Sequence, residues 1–423
     1  MIKIKNSTQL IKAGLKKRYA RERRFRFFGI LSILISFSFL FVLLFSIGKQ
    51  GFPAFQQTYI KLDIVIDPVV LGVTSKSSEE DLFAADYAPL ILTSLKTLLP
   101  KIKGRKQRRA LKKFISKSAR YDLRDDIIKN PQWIGTTLSR WILVKDDIDM
   151  VIKNPQNKGR LKDFQLIWIK QLLQQERLEL RFNLPLFQSS DSREPEQAGL
   201  KGALMGSFYT LLVTLALAFP IGVASAAYLE EFAPQNNRWV DLIEININNL
   251  AAVPSIVFGL LGLAVFINIF GIPRSTPLIG GLVLALMTLP TIIISSRAAI
   301  RAVPPSLKEA AVGLGASKMQ TLFHHTLPIA MSGILTGTII GMAQALGETA
   351  PLLMIGMIAF VADIPQGFMD PSTVMPVQIY LWSDTPEWAF TERTSAAIMV
   401  LLGFLIVMNL MAIVLRKRFE RRG

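Results

Sequence analysis

The chain has 423 residues, 51% of them hydrophobic, a formal net charge of +18 and no cysteine. The lack of cysteine excludes disulfides, thiolate metal sites and thiol catalysis. Several uncharged runs of about twenty residues are long enough to cross a bilayer, and much of the positive charge flanks them, so we expect an integral membrane protein with no nucleic-acid partner.

The amino-terminal part predicts a membrane anchor. Residues 1–26 are strongly basic, and residues 27–48 form the first uncharged run. A cleaved signal peptide has a shorter apolar core and a small-x-small site. We therefore predict a basic cytoplasmic terminus followed by a retained signal anchor as the first transmembrane helix. Cleavage after the Ser-Ile-Gly sequence at 46–48 is the alternative.

Residues 49–199 are polar and predict a small α/β domain between the first and second spans. Apolar and polar residues alternate at 59–70 and at 178–184, which predicts strands that open and close the domain and pair beside the membrane. Two segments between them, 131–152 and 160–175, are helix-like. The domain contains no nucleotide-binding or catalytic motif.

The run at 101–113 is the most basic part of this domain. Such a run predicts a solvated helix face or a contact with lipid headgroups. The alternative is a patch that attracts anions or docks a partner.

Five further spans are predicted, at about 203–229, 251–270, 276–298, 327–359 and 393–415. The basic residues at 416–423 predict a cytoplasmic carboxyl terminus. Six spans place both termini inside and residues 49–199 in the periplasm. The basic run in that domain does not overturn this orientation, because long loops translocate regardless of charge.

The chain offers little for catalysis. His324 and His325 are its only histidines, so a Ser-His-Asp triad or a multi-histidine metal site is not expected. The sequence has no G-x-x-x-x-G-K-[ST] loop for ATP. We therefore predict a non-catalytic protein with no catalytic residue and no metal ligand.

A polar segment, residues 304–328, separates two apolar runs. Ser306 and Glu309 have capping-box spacing at the start of a helix. Gly313 and Gly315 are placed to end that helix. The capping spacing then recurs at Ser317, which predicts a rigid pair of short helices projecting from the membrane.

This segment resembles the EAA loop of ABC importer permeases. The resemblance rests on six residues: Glu309, Ala310, Ala311, Gly315, Leu327 and Pro328. It implies that the loop, including Ser306, docks on a cytoplasmic ATPase and couples its motion to the membrane. The family usually has a branched aliphatic residue where this chain has His325, so local packing differs and coupling would become pH-sensitive. A capped loop between ordinary helices is the alternative.

Two further segments, 250–260 and 345–353, look like phosphate-specific permeases, and Gly-Glu-Thr-Ala-Pro-Leu-Leu is similar to the PstA type. The resemblance covers about residue 200 onward and implies a type I ABC importer permease domain at 200–415. The predicted fold is therefore an α-helical integral membrane protein with six transmembrane helices and an α/β periplasmic insertion between helices 1 and 2.

The second of these segments predicts a substrate pathway. Gly347 and Pro351 would break a span too long for one crossing, and Thr349 would cap the half-helix that Pro351 starts. Glu348 is costly within a span and is interpreted as a gate or ion-pair residue. Arg297 is its possible partner and an anion contact, or else a positive-inside anchor.

Pro254 and Ser255 bend the start of the third span. Packing is the favoured role for both residues. A contact with the transported anion is the alternative.

The resemblance implies a permease subunit of an ATP-driven phosphate importer in the bacterial inner membrane, forming half of the translocation pathway. Implied partners are a second, PstC-like permease, a homodimeric PstB-like ATPase that carries ATP-Mg, a periplasmic phosphate-binding protein and membrane lipid. No cofactor is implied in this chain. The alternatives are a sulfate or molybdate permease and a membrane-anchored sensor.

Overall fold

The structure, a computed structural model, describes residues 7–99, 104–156, 159–234 and 236–420. It divides into two compact units, residues 1–50 and 51–423. The first unit is formed by helix α1, Ser7–Gly51. The apolar side chains of this helix at 25–45 are exposed, as expected for a helix whose apolar surface is matched to lipid.

A three-stranded antiparallel sheet forms the centre of the polar domain. Its strands are β1 (Gln56–Val65), β2 (Thr137–Leu143) and β3 (Leu178–Phe182), in the order β2-β1-β3. Ile60 lies opposite Ile142 on one side and Leu178 on the other. The predicted pairing of the first and last strands is therefore confirmed.

Two predictions for this domain were wrong in detail. The first strand ends at Val65, and residues Pro68–Leu71 turn into a short helix, α2, with Asp67 at its amino cap. The predicted helix at 131–152 contains strand β2, because Gly135 turns the chain at φ +89° and the seven residues Thr137–Leu143 then pair along β1. The helix predicted at 160–175 is confirmed.

Among the described residues, the domain has seven further helices: α3 (Glu79–Ala84), α4 (Ala88–Leu98), α5 (Arg105–Lys112), α6 (Ala119–Lys129), α7 (Asp146–Lys153), α8 (Asp163–Gln174) and α9 (Leu184–Gln188). Leu95, Leu123, Ile148 and Leu172, from four of these helices, are fully buried with the apolar face of the sheet. The basic run predicted as a helix face corresponds in part to α5, whose cations are exposed. Residues 101–103 lie outside the described residues.

The apolar half begins with α10 (Lys201–Ala227), α11 (Arg238–Ala251), α12 (Ser255–Leu261) and α13 (Pro277–Arg301). It continues with α14 (Pro305–Gly313), α15 (Lys318–Thr321), α16 (Leu327–Gly347), α17 (Ala350–Met354), α18 (Met375–Ser383) and α19 (Trp388–Glu420). Among the described residues, five helices are long and apolar enough to span a membrane, or six when the pair α11 and α12, bent by 104°, counts as one.

Glycines allow the central helices to pack closely, as small residues do in membranes. A Cβ atom on Gly281 of α13 would lie 2.4 Å from Val213 of α10. A Cβ atom on Gly337 of α16 would meet Ser295 of α13 at 2.2 Å or less. The core of the apolar half is therefore built around α13, with α10 and α16 on its two sides.

Candidate functional site

The two segments predicted for the substrate pathway meet in the structure. Helix α12 packs against α17, and the contact is so close that a Cβ atom on Gly259 would lie 2.7 Å from Cα of Pro351. Helix α16 ends at Gly347, Glu348 has extended backbone, and α17 begins at Ala350. A bent span and a broken span thus face each other, and the predicted break near Gly347 and Pro351 is confirmed.

The predicted capping role of Thr349 is wrong. Thr349 occupies the amino-cap position of α17, but its side chain accepts no capping hydrogen bond. Its ψ of −43° is helical, whereas a capping hydroxyl usually extends from β-region backbone. Glu348 and Ser255 are half-buried, while Pro254 and Gly347 are exposed.

Arg297 does not pair with Glu348, so that prediction was wrong. Its Nε lies 2.7 Å from Oε1 of Glu230, and its Nη2 lies 2.5 Å from Oε1 of Glu244. Helix α13 brings Arg297 to the end of α10 and to α11, where two carboxylates satisfy its planar guanidinium. No ion pair between described residues involves Glu348.

Two consecutive carboxylates at the end of α10, Glu230 and Glu231, contact α13 and the helix that follows it. Glu230 also accepts from Arg301 Nη2 at 2.8 Å. Its neighbour Glu231 pairs with Lys308 of α14. Sequence reasoning missed these residues, although two consecutive carboxylates at the end of an apolar span were a usable signal. The network fixes α14 to the end of α10.

The polar segment 304–328 forms the predicted helix pair with one correction. Helix α14 starts at Pro305 with Pro304 at the amino cap, so Ser306 lies inside the first turn and makes no capping bond. Proline at the first helical position sets φ in advance and shifts the start forward. Ser317 caps α15: its Oγ accepts from Gln320 N at 3.2 Å, and its N–H donates to Gln320 Oε1 at 2.9 Å.

The turn between the two helices also follows the prediction. Gly313 is the last residue of α14, and Gly315 has φ +91°, where a side chain would be strained. A π-helical turn, Leu322–Thr326, then joins α15 to α16. His325 in that turn is exposed, so the departure from the family pattern does not affect the core.

The helix pair exposes an apolar surface, which we call the loop patch. It consists of Leu307, Val312, Leu314, Met319 and Phe323, with Leu314 91% exposed. Of the motif residues, Glu309, Ala310 and Pro328 are exposed, Leu327 is half-buried and Ala311 is buried. Exposed apolar side chains clustered on a polar projection indicate a protein-contact surface.

The polar domain lies at the opposite end of the spans from α14. Leu200 and Ala203 at the start of α10 pack with Leu186 of α9 and with Phe390 of α19 in one buried cluster. Glu231, which holds α14, follows the other end of α10. The two ends of the apolar half are thus separated by the length of α10.

Comparison with known proteins gives matches over both halves. Residues 218–422 match the family described as binding-protein-dependent transport system inner membrane component. Residues 12–159 match a domain of unknown function, DUF3333.

Similar proteins include the probable ABC transporter permease protein YqgI of Bacillus subtilis, 38% identical over 156 residues, which are 37% of this chain and 52% of that protein. The phosphate transport system permease protein PstA 1 of Mycobacterium tuberculosis is 33% identical over 232 residues, 54% of this chain and 74% of that protein. The chain thus spans about half of the first relative and about three quarters of the second.

Among solved structures, a chain of the inward-facing MetNI methionine ABC transporter is similar over 51% of this chain and 94% of its own, with a TM-score of 0.43 and 18% identity. The family match and the PstA 1 relative confirm the predicted permease fold and a non-catalytic transporter subunit. The chain therefore belongs to the binding-protein-dependent transport system inner membrane components, as an ABC transporter permease subunit of the PstA type.

Proposed function

We propose that this chain is the permease subunit of an ATP-driven inorganic phosphate importer and forms half of its translocation pathway. The observation that carries the proposal is the contact between α12 and α17 at Gly259 and Pro351. This contact joins the two segments that resemble phosphate-specific permeases. A relative named as a phosphate transport system permease protein is 33% identical over 232 residues of this chain.

The pathway in this proposal runs past the break between α16 and α17. Pro254, Ser255, Gly347, Thr349 and Pro351 would line it, and several of them are exposed or half-buried in this chain. Glu348 acts as a gate, because a carboxylate would repel phosphate at a direct contact. Arg297 pairs with two carboxylates, Glu230 and Glu244, and therefore positions α13 against the end of α10 and against α11.

Coupling in this proposal starts at the loop patch. A cytoplasmic PstB-like ATPase dimer, which carries the ATP-Mg, binds the patch around Glu309. Movement of α14 then reaches α10 through the pair Lys308–Glu231 and α13 through Glu230. In this proposal the chain holds no cofactor and contributes geometric coupling and electrostatic selection of the anion.

The proposed orientation follows from the same arrangement. With α14 on the cytoplasmic side, both termini are cytoplasmic, α1 is a signal anchor in the inner membrane, and residues 49–199 are periplasmic. A PstC-like permease completes the pathway, and a periplasmic phosphate-binding protein delivers the anion.

Two other functions compete with this proposal. A sulfate or molybdate permease would use the same fold, but PstA is the type to which the pathway segments are similar. A membrane-anchored sensor would need an output domain, and the apolar half instead carries a coupling loop.

The test is uptake of radiolabelled phosphate by the complex reconstituted in liposomes, with sulfate and molybdate as competitors. We expect phosphate uptake that depends on ATP. A tenfold excess of sulfate or molybdate should leave this uptake unchanged. Competition by sulfate or molybdate would assign the pathway to that oxyanion. Binding of phosphate without ATP and without uptake would support the membrane-anchored sensor.

A further inference from the structure

A small cavity lies where the polar domain meets the amino end of α19. Its volume is about 10 Å³, which is room for about one water molecule. Six charged side chains line it: Asp146, Asp149, Lys153, Glu196, Glu392 and Arg393. We call this set the junction cluster.

Direct hydrogen bonds hold the domain to α19 around this cavity. Lys153 Nζ lies 2.7 Å from both Asp149 Oδ2 and Glu392 Oε1. Asp149 Oδ1 in turn accepts from the backbone N–H and the hydroxyl of Thr58, at 2.8 and 2.7 Å. Arg393 donates to the carbonyl of Ala198 at 2.6 Å. Strand β1 and helix α7 are thus fastened to the last span.

The junction cluster has more negative than positive groups. Four carboxylates face two cations. Two buried carboxylate oxygens have no hydrogen-bond partner, Asp146 Oδ1 and Glu196 Oε2. Glu196 is 1% exposed, and its other oxygen accepts from Ser116 Oγ at 2.8 Å. A buried carboxylate oxygen without a donor is unfavourable while the group is charged.

The size of the cavity limits what could neutralise this excess. An organic cation does not fit the roughly 10 Å³ beside Glu196, whereas Asp146 also lines an adjoining pocket of about 330 Å³. Within the part of the chain that the structure describes, no three acidic or histidine side chains are arranged to hold a metal ion. A proton on one of the two unpartnered oxygens would convert it into a donor and remove one negative charge.

The surrounding charges favour the same occupant. Outside the cavity, Asp147, Glu194 and Glu387 add negative charge, while Lys145 and Lys117 add positive charge. Burial, followed by the carboxylates of Asp147 and Glu196, raises the pKa of Asp146 to about 7. Burial also raises the pKa of Glu196. Both groups therefore hold a proton more tightly here than in water.

We propose that this cavity is a proton-binding site, in which a proton on Asp146 or Glu196 keeps the polar domain closed on the amino end of α19. The open junction exposes both carboxylates to water, where they bind a proton more weakly. Between about pH 4 and pH 7 the closed state therefore binds the extra proton, and the opening constant rises about tenfold per pH unit. It levels off above pH 7. The inference does not depend on which solute is transported.

Infrared difference spectroscopy of the full chain in lipid nanodiscs tests the proton directly. We expect a carboxylic-acid C=O band that persists at pH 6, is lost towards pH 8, and is removed by Asp146→Asn or Glu196→Gln. The control Asp86→Asn changes an exposed aspartate of the same domain and should leave the band unchanged. A spectrum that neither substitution alters at pH 6 would overturn the proposal.

Amide hydrogen exchange at Thr58 tests the closed junction, because its N–H donates to Asp149. Rates are divided by those of an unstructured peptide at each pH. We expect protection to fall about tenfold per unit from pH 5 to 7 in the unmodified chain and in Asp86→Asn. The dependence should flatten in Asp146→Asn, with Glu196→Gln as the second variant if that chain does not fold. Protection that is independent of pH in the unmodified chain would contradict the inference.

Discussion

Gly259 of α12 packs directly on Pro351 of α17, so that a Cβ atom at position 259 would lie 2.7 Å from both Cα and the carbonyl oxygen of Pro351. Both atoms belong to the backbone and cannot turn aside. The contact thus fixes the distance between the bent span and the broken span. Position 259 requires glycine because α12 and α17 lie so close together there. Its helical φ would by itself accept other residues.

Substituting this glycine should disturb the pathway. We expect Gly259→Ala to displace α17, cost about 1–3 kcal/mol of stability by overpacking and lower uptake by tenfold or more. The measurement is ATP-driven phosphate uptake per reconstituted complex. Gly403→Ala is the matched control, because a Cβ atom at Gly403 meets nothing within 4 Å. Equal uptake by the two variants would show that the contact is not needed.

The pair Lys308–Glu231 should carry motion from α14 to α10. We expect Lys308→Glu to lower uptake strongly while the ATPase still binds, because like charges would then face each other at this joint. The double variant Lys308→Glu with Glu231→Lys should recover part of the uptake. Each variant is compared by uptake and by the ATPase retained on purification. The transmission role would be wrong if the single variant transported normally.

The sequence predicted local features well and long-range ones poorly. Alternation at Ile60, Leu62 and Ile64 revealed β1, because a sheet with one buried face imposes a period of two. Strand β2 was missed because its short apolar run fits a helix equally well until β1 is beside it. Ser317 was found as a cap, since that interaction spans only three residues.

The partners of charged groups could not be predicted from the sequence, because they lie far apart along the chain. Arg297 finds Glu230, 67 residues earlier, only after α10 and α13 have packed. Lys153 meets Glu392 across 239 residues. Each pairing depends on the crossing of whole helices, which no local pattern encodes. The meeting of segments 250–260 and 345–353 was likewise not predicted, although both segments resemble phosphate-specific permeases.

Glu309 is exposed on α14 beside the loop patch and should contact the ATPase. We expect Glu309→Lys to abolish uptake and to reduce ATPase retention, because it reverses an exposed charge beside the proposed docking surface. The chain should remain in the membrane, as judged by fractionation. Glu80→Lys, an exposed charge reversal on α3, is the control and should transport normally. Normal uptake by Glu309→Lys would refute the coupling role.

Lys153 is 9% exposed and is the cation shared by Asp149 and Glu392. Removing it leaves two buried carboxylates facing each other, and breaking a buried pair in this way costs about 3–5 kcal/mol. We expect Lys153→Met to lower the melting temperature of the polar domain by about 10 °C, measured by circular dichroism of the full chain in nanodiscs.

Lys145→Met is the control, since its ammonium lies 4.0 Å from Glu194 and is more exposed. If both substitutions lower the melting temperature equally, Lys153 is not the ion that holds the domain to α19. If Lys153→Met alone does so, adding Glu392→Gln should recover part of the loss, because it removes one of the two uncompensated charges.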